Sequence, residues 1–301
     1  MSQRKLLLVV EGNHDEAFIA ALLRKGHGFS AVTRLSQADP YWRATIPTTF
    51  PHDDDLRRRM PVPYFYTRAD ASLAIIVAVG ESRLVNVVSD TLAVLGEPTV
   101  DAIGVVLDAD DRRSVNERFA SIREALRELQ LTPGSMPGEV GASAPNCGVY
   151  VLPDNVSRGT LEDILLECAG KNYRAALEAA NALVDRVDPR DYQGDDLREL
   201  NKPAGKNKAR IAAITAILKP GKTTQASISD NRWLGGDVSA LDSVRKFEAF
   251  LNELLTGQVR PPVILSTATQ AEPADARDSP LVTEASEREG AGGTGEPTER
   301  S

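Results

Sequence analysis

Four short apolar segments constrain the fold of this chain more than any other feature of its sequence. They are residues 5–10, 73–79, 102–107 and 148–152, and a helical spacing of apolar residues follows each one along the chain. Continuous apolar runs of this length are typical of strands that are buried on both faces. Strands that alternate with amphipathic helices predict an α/β fold, in which a parallel four-stranded sheet lies between helices.

The remaining sequence divides around this core. The α/β core is predicted over residues 1–170, and helical patterns continue over 171–258 as an extension packed on the core. Residues 38–72 are rich in proline and aromatic residues and are predicted to form an ordered insertion, because linkers seldom contain so many aromatic residues. Residues 259–301 have the composition of a disordered acidic tail, since Pro, Ala, Gly, Ser, Thr and Glu cannot form a buried core.

Composition excludes several classes of protein and indicates a cytoplasmic location. No apolar run approaches the roughly 20 residues that a membrane-spanning helix needs, and the amino terminus lacks the apolar region of a signal peptide. The two cysteines, Cys147 and Cys168, form neither a metal-binding spacing nor a disulfide framework. Of the net charge of −8, most lies in residues 266–301, which contain eight acidic and three basic residues. The nearly neutral body lacks the basic surplus of most nucleic-acid-binding proteins, although clustered acids that bind divalent cations would reverse the local field.

Acidic residues follow three of the four predicted strands. Glu11 and Asp15 come after the first strand, Asp108 and Asp110 after the third, and Glu162 opens the helix after the fourth. Because ligands of parallel sheets bind beyond the carboxyl ends of the strands, we expect these side chains to lie at one edge. Hard carboxylate oxygens are the ligands that Mg²⁺ and Mn²⁺ prefer.

Each of these motifs also has an ordinary structural interpretation. A Glu-Gly pair after a strand usually forms a turn, and an aspartate there usually caps a helix. Acids in a first helical turn stabilise the helix dipole. The joint placement of the acids at one edge of one sheet therefore carries the inference, and no single motif does.

Two of these motifs resemble the Toprim domain of topoisomerases, bacterial primases and the overcoming-lysogenization-defect (OLD) nucleases. They are Val10-Glu11-Gly12 with Asp15, and the strand that ends in Asp108-x-Asp110. The segment from Leu152-Pro-Asp-Asn to Gly-Thr-Leu-Glu-Asp163 resembles an uncharacterised bacterial branch of Toprim-like proteins. The resemblance covers residues 5–170 and extends to the lysine-rich residues 206–209.

The resemblance implies a role for each matching residue. Glu11 corresponds to the invariant glutamate, a metal ligand or general acid/base, and Asp15 to the second acid of the nuclease-type motif. Asp108 and Asp110 correspond to metal ligands, and Glu162 to the acid of the third motif. The cofactor implied is Mg²⁺ or Mn²⁺, with two ions that clamp the attacking and leaving oxygens of a phosphodiester. Lys208, or as a second choice Lys206, would offset charge on the scissile phosphate.

The function expected from this resemblance is metal-dependent hydrolysis of nucleic acid, with DNA favoured over RNA and a role in anti-phage defence. Arg57, Arg58 and Arg59 are predicted to contact the nucleic acid, although the alternative is a solvated face paired with the acids at 53–55. The sequence contains no Gly-x-x-x-x-Gly-Lys-Ser/Thr loop, so any ATPase control would come from a partner protein. No membrane partner is expected, and a homo-oligomer is compatible with the sequence.

Two alternatives to a nuclease stay open at the level of sequence. One is a non-catalytic Toprim-like subunit that senses nucleic acid or nucleotides within a larger complex. The other is primase-like nucleotidyl transfer, which uses the same metal cluster. A phosphatase of the haloacid-dehalogenase type is disfavoured, because it expects Thr or Val where this chain has Arg112.

Overall fold

The computed structural model describes residues 3–49, 62–96, 100–109 and 113–258. The strands are β1 (Arg4–Val10), β2 (Ser30–Val32), β3 (Tyr64–Thr67), β4 (Ala71–Val77), β5 (Ala102–Asp108) and β6 (Asn146–Leu152). The α-helices are α1 (Asn13–Gly26), α2 (Leu84–Leu95), α3 (Val115–Glu128), α4 (Leu161–Asn172), α5 (Arg174–Asp185), α6 (Gly205–Leu218), α7 (Thr224–Asp230) and α8 (Asp242–Thr256). Short 3-10 helices lie at Leu35–Gln37, Pro40–Thr45, Glu81–Arg83, Pro189–Asp191 and Gly236–Ala240.

The predicted α/β fold is confirmed, but the sheet is larger than predicted. The described residues form a six-stranded mixed sheet in the order β2-β3-β4-β1-β5-β6. Strands β4, β1, β5 and β6 run parallel, while β2 and β3 extend the β4 edge in antiparallel pairing. The prediction of four strands was wrong because β2 has only three residues, mostly exposed, and β3 lies inside the proline-rich and aromatic segment.

The central strand β1 is apolar without interruption because both of its faces are buried. Leu6, Leu8 and Val10 belong to one buried cluster, together with residues of α1, α4 and α8. Leu7 and Val9 point to the opposite face, into a second cluster formed with α2 and α3. Since successive side chains of a strand alternate between faces, helices on both sides require apolar residues at every position.

Helix α8 covers the middle of one face of the sheet. The ring centroid of Tyr150 lies 4.8 Å from that of Phe247 and 5.3 Å from that of Phe250. Gly104 of β5 allows this close approach, because a Cβ atom there would lie 2.4 Å from Leu8 Cδ2 and 2.7 Å from Leu254 Cδ1. Any larger residue at position 104 would therefore push α8 away from the sheet.

Contacts divide the chain into two units, Met1–Pro261 and Pro262–Ser301, and the second lies outside the described residues. The predicted disordered tail at 259–301 and the middle of the predicted insertion, residues 50–61, also lie outside them. Within the insertion, the described part contains the 3-10 helix Pro40–Thr45, whose buried Trp42 donates a hydrogen bond from Nε1 to Ser72 Oγ (2.7 Å). No helix in the described part of the chain has the length and apolarity to cross a membrane.

The parallel strands end at a common edge of the sheet. In the register, Val10 of β1 pairs with Val77 of β4 and Val106 of β5, and Asp108 pairs with Leu152 of β6. The residues that directly follow β1 and the last residue of β5 therefore meet at this edge. Helices α1 and α4 also begin there.

Candidate active site

Four acidic side chains converge at the carboxyl edge of the sheet. Glu11 directly follows β1, and Asp15 lies in the first turn of α1. Asp108 is the last residue of β5, and Glu162 is the second residue of α4. Burial first, and then the negative charges of Asp15, Glu162 and Glu11, raise the pKa of Asp108 well above its usual range. The four predicted carboxylates thus lie within electrostatic reach of one another.

Asp108 is held by the amino terminus of α4. Its Oδ1 accepts a hydrogen bond from the backbone N–H of Leu161 at 2.9 Å. Its own backbone N–H donates to Glu11 Oε2 at 3.5 Å. The positive end of the α4 dipole favours a carboxylate at this position. Together these contacts fix the ends of β1, β5 and α4 against one another.

Asp15 is buried, with 6% of its surface exposed, and of the four acids only Glu162 is less exposed. Its Oδ2 accepts a hydrogen bond from the backbone N–H of Gly12 at 2.7 Å, which caps the start of α1. Burial raises the pKa of Asp15 to about 7, and the charges of Glu11 and Glu162 add to the effect of burial. Without a counter-charge, this site is therefore costly to ionise fully near neutral pH.

Glu162 and Glu11 have partial compensation for their charges. Burial opposes ionisation of Glu162, but the hydrogen bond from His14 and the Lys208 ammonium outweigh burial and lower its pKa. Glu162 Oε1 lies 3.5 Å from His14 Nδ1, while its buried Oε2 has no hydrogen-bond partner. For Glu11, burial is the largest effect and raises the pKa, and Arg118 opposes that rise more than any other group.

Two basic side chains belong to the site. Lys208 of α6 lowers the pKa of both Glu11 and Glu162 and lines both clefts described below. Lys206 lines neither cleft, although both lysines are exposed. Arg118 of α3, which the sequence interpretation missed, is 3% exposed and pairs with Glu81 Oε2 at 2.9 Å. A signal for Arg118 was present, because it stands at helical spacing within the apolar stripe that starts at Val115.

Two clefts, each of about 340 Å³, open over the acids and share Glu11, Asp108 and Lys208. The cleft between α3, α4 and α6, called here the basic cleft, is further lined by Arg118, Arg158 and Lys202, among others. The second cleft lies over the start of α1 and the end of β4. The acids therefore lie at the junction of two open clefts.

Four further predicted residues lie outside the part of the chain that the structure describes. They are Asp110 and the three arginines Arg57, Arg58 and Arg59. Asp163, adjacent to Glu162, accepts from Thr160 N at 2.7 Å and from Asn207 Nδ2 at 2.8 Å. Asp163 therefore joins α4 to α6. In the described part of the chain, no three acidic, histidine or cysteine side chains are arranged to hold one metal ion.

Comparison with known proteins identifies the family of this chain. Residues 5–256 match the family described as "Protein of unknown function (DUF3226)". The chain belongs to this family. No curated protein matches it. The crystal structure of hypothetical protein PH0156 from Pyrococcus horikoshii OT3 is similar, with 20% identity, a TM-score of 0.46 and coverage of 85% of this chain and 97% of that chain. Neither description names an activity, so the residues of the site must support any functional proposal.

Proposed function

We propose that this protein is a Toprim-like nuclease that hydrolyses phosphodiester bonds of nucleic acid with Mg²⁺ or Mn²⁺, and that DNA is its preferred substrate. One observation carries the proposal: Glu11, Asp15, Asp108 and Glu162, from separate chain segments, converge beside Lys208 at the edge where parallel sheets bind ligands. The resemblance to OLD nucleases is part of the proposal, as are a role in anti-phage defence and an ATPase partner.

The acids fit divalent metal ions on three grounds. Their oxygens are the hard donors that Mg²⁺ and Mn²⁺ prefer. The pKa values of Glu11, Asp15 and Asp108 are raised, first by burial, so that a cation would remove an existing electrostatic cost. Glu162 Oε2 is buried without a hydrogen-bond partner, so that a cation beside it would satisfy this oxygen. Ions held by these side chains, with Asp110, would supply an activated water and stabilise charge on a phosphate.

The basic side chains complete the proposed chemistry. Lys208 lines both clefts, where its ammonium stabilises the negative charge that develops on the phosphate. Glu11 is the candidate for moving a proton at the attacking or leaving oxygen, since burial keeps its pKa above its ordinary value. The amino terminus of α4 holds Asp108 in place through the Leu161 N–H.

One observation favours a second candidate function, that of a non-catalytic subunit that senses nucleic acid. Among the described side chains, no three are arranged to hold one ion. A sensor needs only the clefts and their charges. Metal binding without turnover would support this second function.

The test is cleavage of plasmid DNA, single-stranded DNA and RNA with Mg²⁺, Mn²⁺ or a chelator. We expect metal-dependent cleavage that falls by at least about 100-fold in Asp108→Asn. The matched control is Asp154→Asn, because Asp154 follows the neighbouring strand but lies outside the acid cluster. It accepts from Val156 N, Ser157 N and Ser157 Oγ in its own turn and pairs with Lys246 of α8. Chelator-resistant cleavage, or equal cleavage by both variants, would contradict the proposal.

A second pair of variants tests the lysine. Lys208→Ala should lower the cleavage rate about 100-fold, as expected when a group that stabilises transition-state charge is removed. Lys206→Ala, two residues away on α6 and outside the lining of both clefts, should remain within about 2-fold of the wild type. If both substitutions have the same effect, the basic surface of α6 acts only in general attraction of the substrate.

A further inference from the structure

The basic cleft contains more positive side chains than the proposed reaction needs. Its lining includes Arg118, Arg158 and Lys202 besides the proposed phosphate-stabilising Lys208. These residues come from α3, from the loop before α4 and from the segment that leads into α6. Cations recruited from separate segments around one cleft indicate a bound anion more strongly than a single charged helix face does.

Arg118 differs from the other three cations because it is buried. It is 3% exposed and is paired with Glu81 Oε2 at 2.9 Å, from the 3-10 helix that follows β4. A buried ion pair seldom stabilises a protein more than apolar residues of similar volume. A buried arginine that also lines a cleft is therefore a candidate to bind a ligand there. A guanidinium also offers five donors in a planar fork that matches phosphate oxygens.

The position of Arg118 places this charge next to the acids. Arg118, Glu11 and Asp108 line the same cleft, and Arg118 is the group that most strongly counteracts the rise in the Glu11 pKa. A cleft of about 340 Å³ is at the small end of ligand sites, which fits one nucleotide unit rather than a duplex.

We infer that the basic cleft binds one phosphate of the substrate strand adjacent to the scissile phosphate, and that Arg118 is the fixed residue that binds it. This inference rests on the proposed function, since it assigns the substrate's position within the same site. Arg158 and Lys202, both exposed, add attraction at the rim of the cleft. The ligand class is a single-stranded nucleic-acid backbone.

The test measures binding rather than cleavage. Fluorescence anisotropy measures the binding of a short labelled single-stranded DNA in Mg²⁺. Two proteins are compared, Asp108→Asn and the double variant Asp108→Asn/Arg118→Met. The Asp108→Asn substitution is present in both so that the DNA stays intact. Loss of Arg118 should weaken binding about 10- to 100-fold, as for a charge-assisted bidentate contact. The slope of log K against log salt should fall in magnitude by about 1.

Two controls separate binding from a structural role. Arg123→Met removes an arginine of the same helix, which stacks on Phe119 and donates to Ser135 O, and should change neither affinity nor slope. Glu81→Gln removes the partner of Arg118 and should leave the salt slope unchanged. If Arg118→Met alone fails to fold, the double variant Arg118→Met/Glu81→Gln removes both buried charges and carries the test.

The outcomes distinguish this inference from the nuclease proposal. An unchanged affinity and slope in Arg118→Met would overturn the inference, whether or not the wild type cleaves DNA. Equal losses in Arg118→Met and Glu81→Gln would also overturn it, because Arg118 would then act only through the ion pair. Weaker binding and a smaller salt slope in Arg118→Met alone would support the inference. This support would stand even if the wild type did not cleave nucleic acid, a result that would exclude the nuclease.

Discussion

The acid cluster should make the metal-free protein less stable at neutral pH than at mildly acidic pH, and Asp15→Asn should remove much of this penalty. Burial, with the charges of Glu11 and Glu162, raises the pKa of Asp15 from 3.8 to about 7. Because this folded-state pKa lies above the unfolded value, the folded protein binds more protons between about pH 4 and pH 7. The stabilising effect of the proton is therefore complete below pH 4 and is lost as the pH rises through 7.

The magnitude follows from the difference between the two pKa values. Each pKa unit corresponds to about 1.4 kcal/mol, so ionised Asp15 costs about 4 kcal/mol of unfolding free energy at pH 8. An asparagine carries no charge, and its Oδ1 can still accept the hydrogen bond that Gly12 N donates to Asp15. We expect Asp15→Asn to raise the unfolding free energy by about 2–4 kcal/mol at pH 8 and by much less at pH 5.

Urea denaturation in chelator at pH 5, 6, 7 and 8 measures this difference. Asp154→Asn is the control, since hydrogen bonds from Ser157 N and Val156 N outweigh the effect of burial and lower the pKa of Asp154. The stability that Asp154 contributes is present above its unfolded pKa and is lost only as the pH falls below about 4. Asp154→Asn should therefore be no more stable than the wild type at pH 8. If Asp15→Asn is destabilised equally at every pH, the acids do not repel one another as argued.

Three further predictions concern other parts of the protein. Isothermal titration with Mn²⁺ should show binding at least about 10-fold weaker in Asp108→Asn than in Asp154→Asn, because only Asp108 belongs to the cluster. Phe250→Ala should lower the unfolding free energy by about 3–5 kcal/mol in urea, since Phe250 is buried between α8 and the sheet. Asn207→Leu removes the amide link between α6 and α4, and should slow cleavage about 10-fold while Mn²⁺ affinity is unchanged, because Lys208 is then less well positioned. An unchanged cleavage rate would limit Asn207 to a structural role.

The parallel part of the sheet could be predicted from the sequence because burial on both faces leaves a clear pattern. Every position of β1 from Leu6 to Val10 is buried, and the resulting apolar run is visible without a structure. Strand β2 leaves no such signal, since two of its three residues are exposed. Helix α7 was also missed, because its seven residues are mostly polar and only Ser227 and Ile228 are buried.

Some residues of the candidate site could likewise be predicted from the sequence, and others could not. The acids at the ends of β1 and β5 could be placed together because parallel strands end at one edge. The choice between Lys208 and Lys206 depends on how α6 packs against α4, which the Asn207–Asp163 hydrogen bond helps to fix. No local pattern encodes a contact between residues so far apart in the chain. Arg118 was missed because the sequence of α3 does not show that Glu81, from the segment after β4, lies beside it.

The position of α8 has a consequence for how the chain folds during synthesis. Phe247, Phe250 and Leu254 complete the apolar cluster that begins at Leu6 of β1. While a ribosome still holds α8 in its exit tunnel, the middle of one face of the emerging sheet is uncovered. The strand that is synthesised first is therefore fully covered only by residues synthesised nearly 250 positions later. Pulsed proteolysis of stalled nascent chains should detect a protected core only after α8 has emerged.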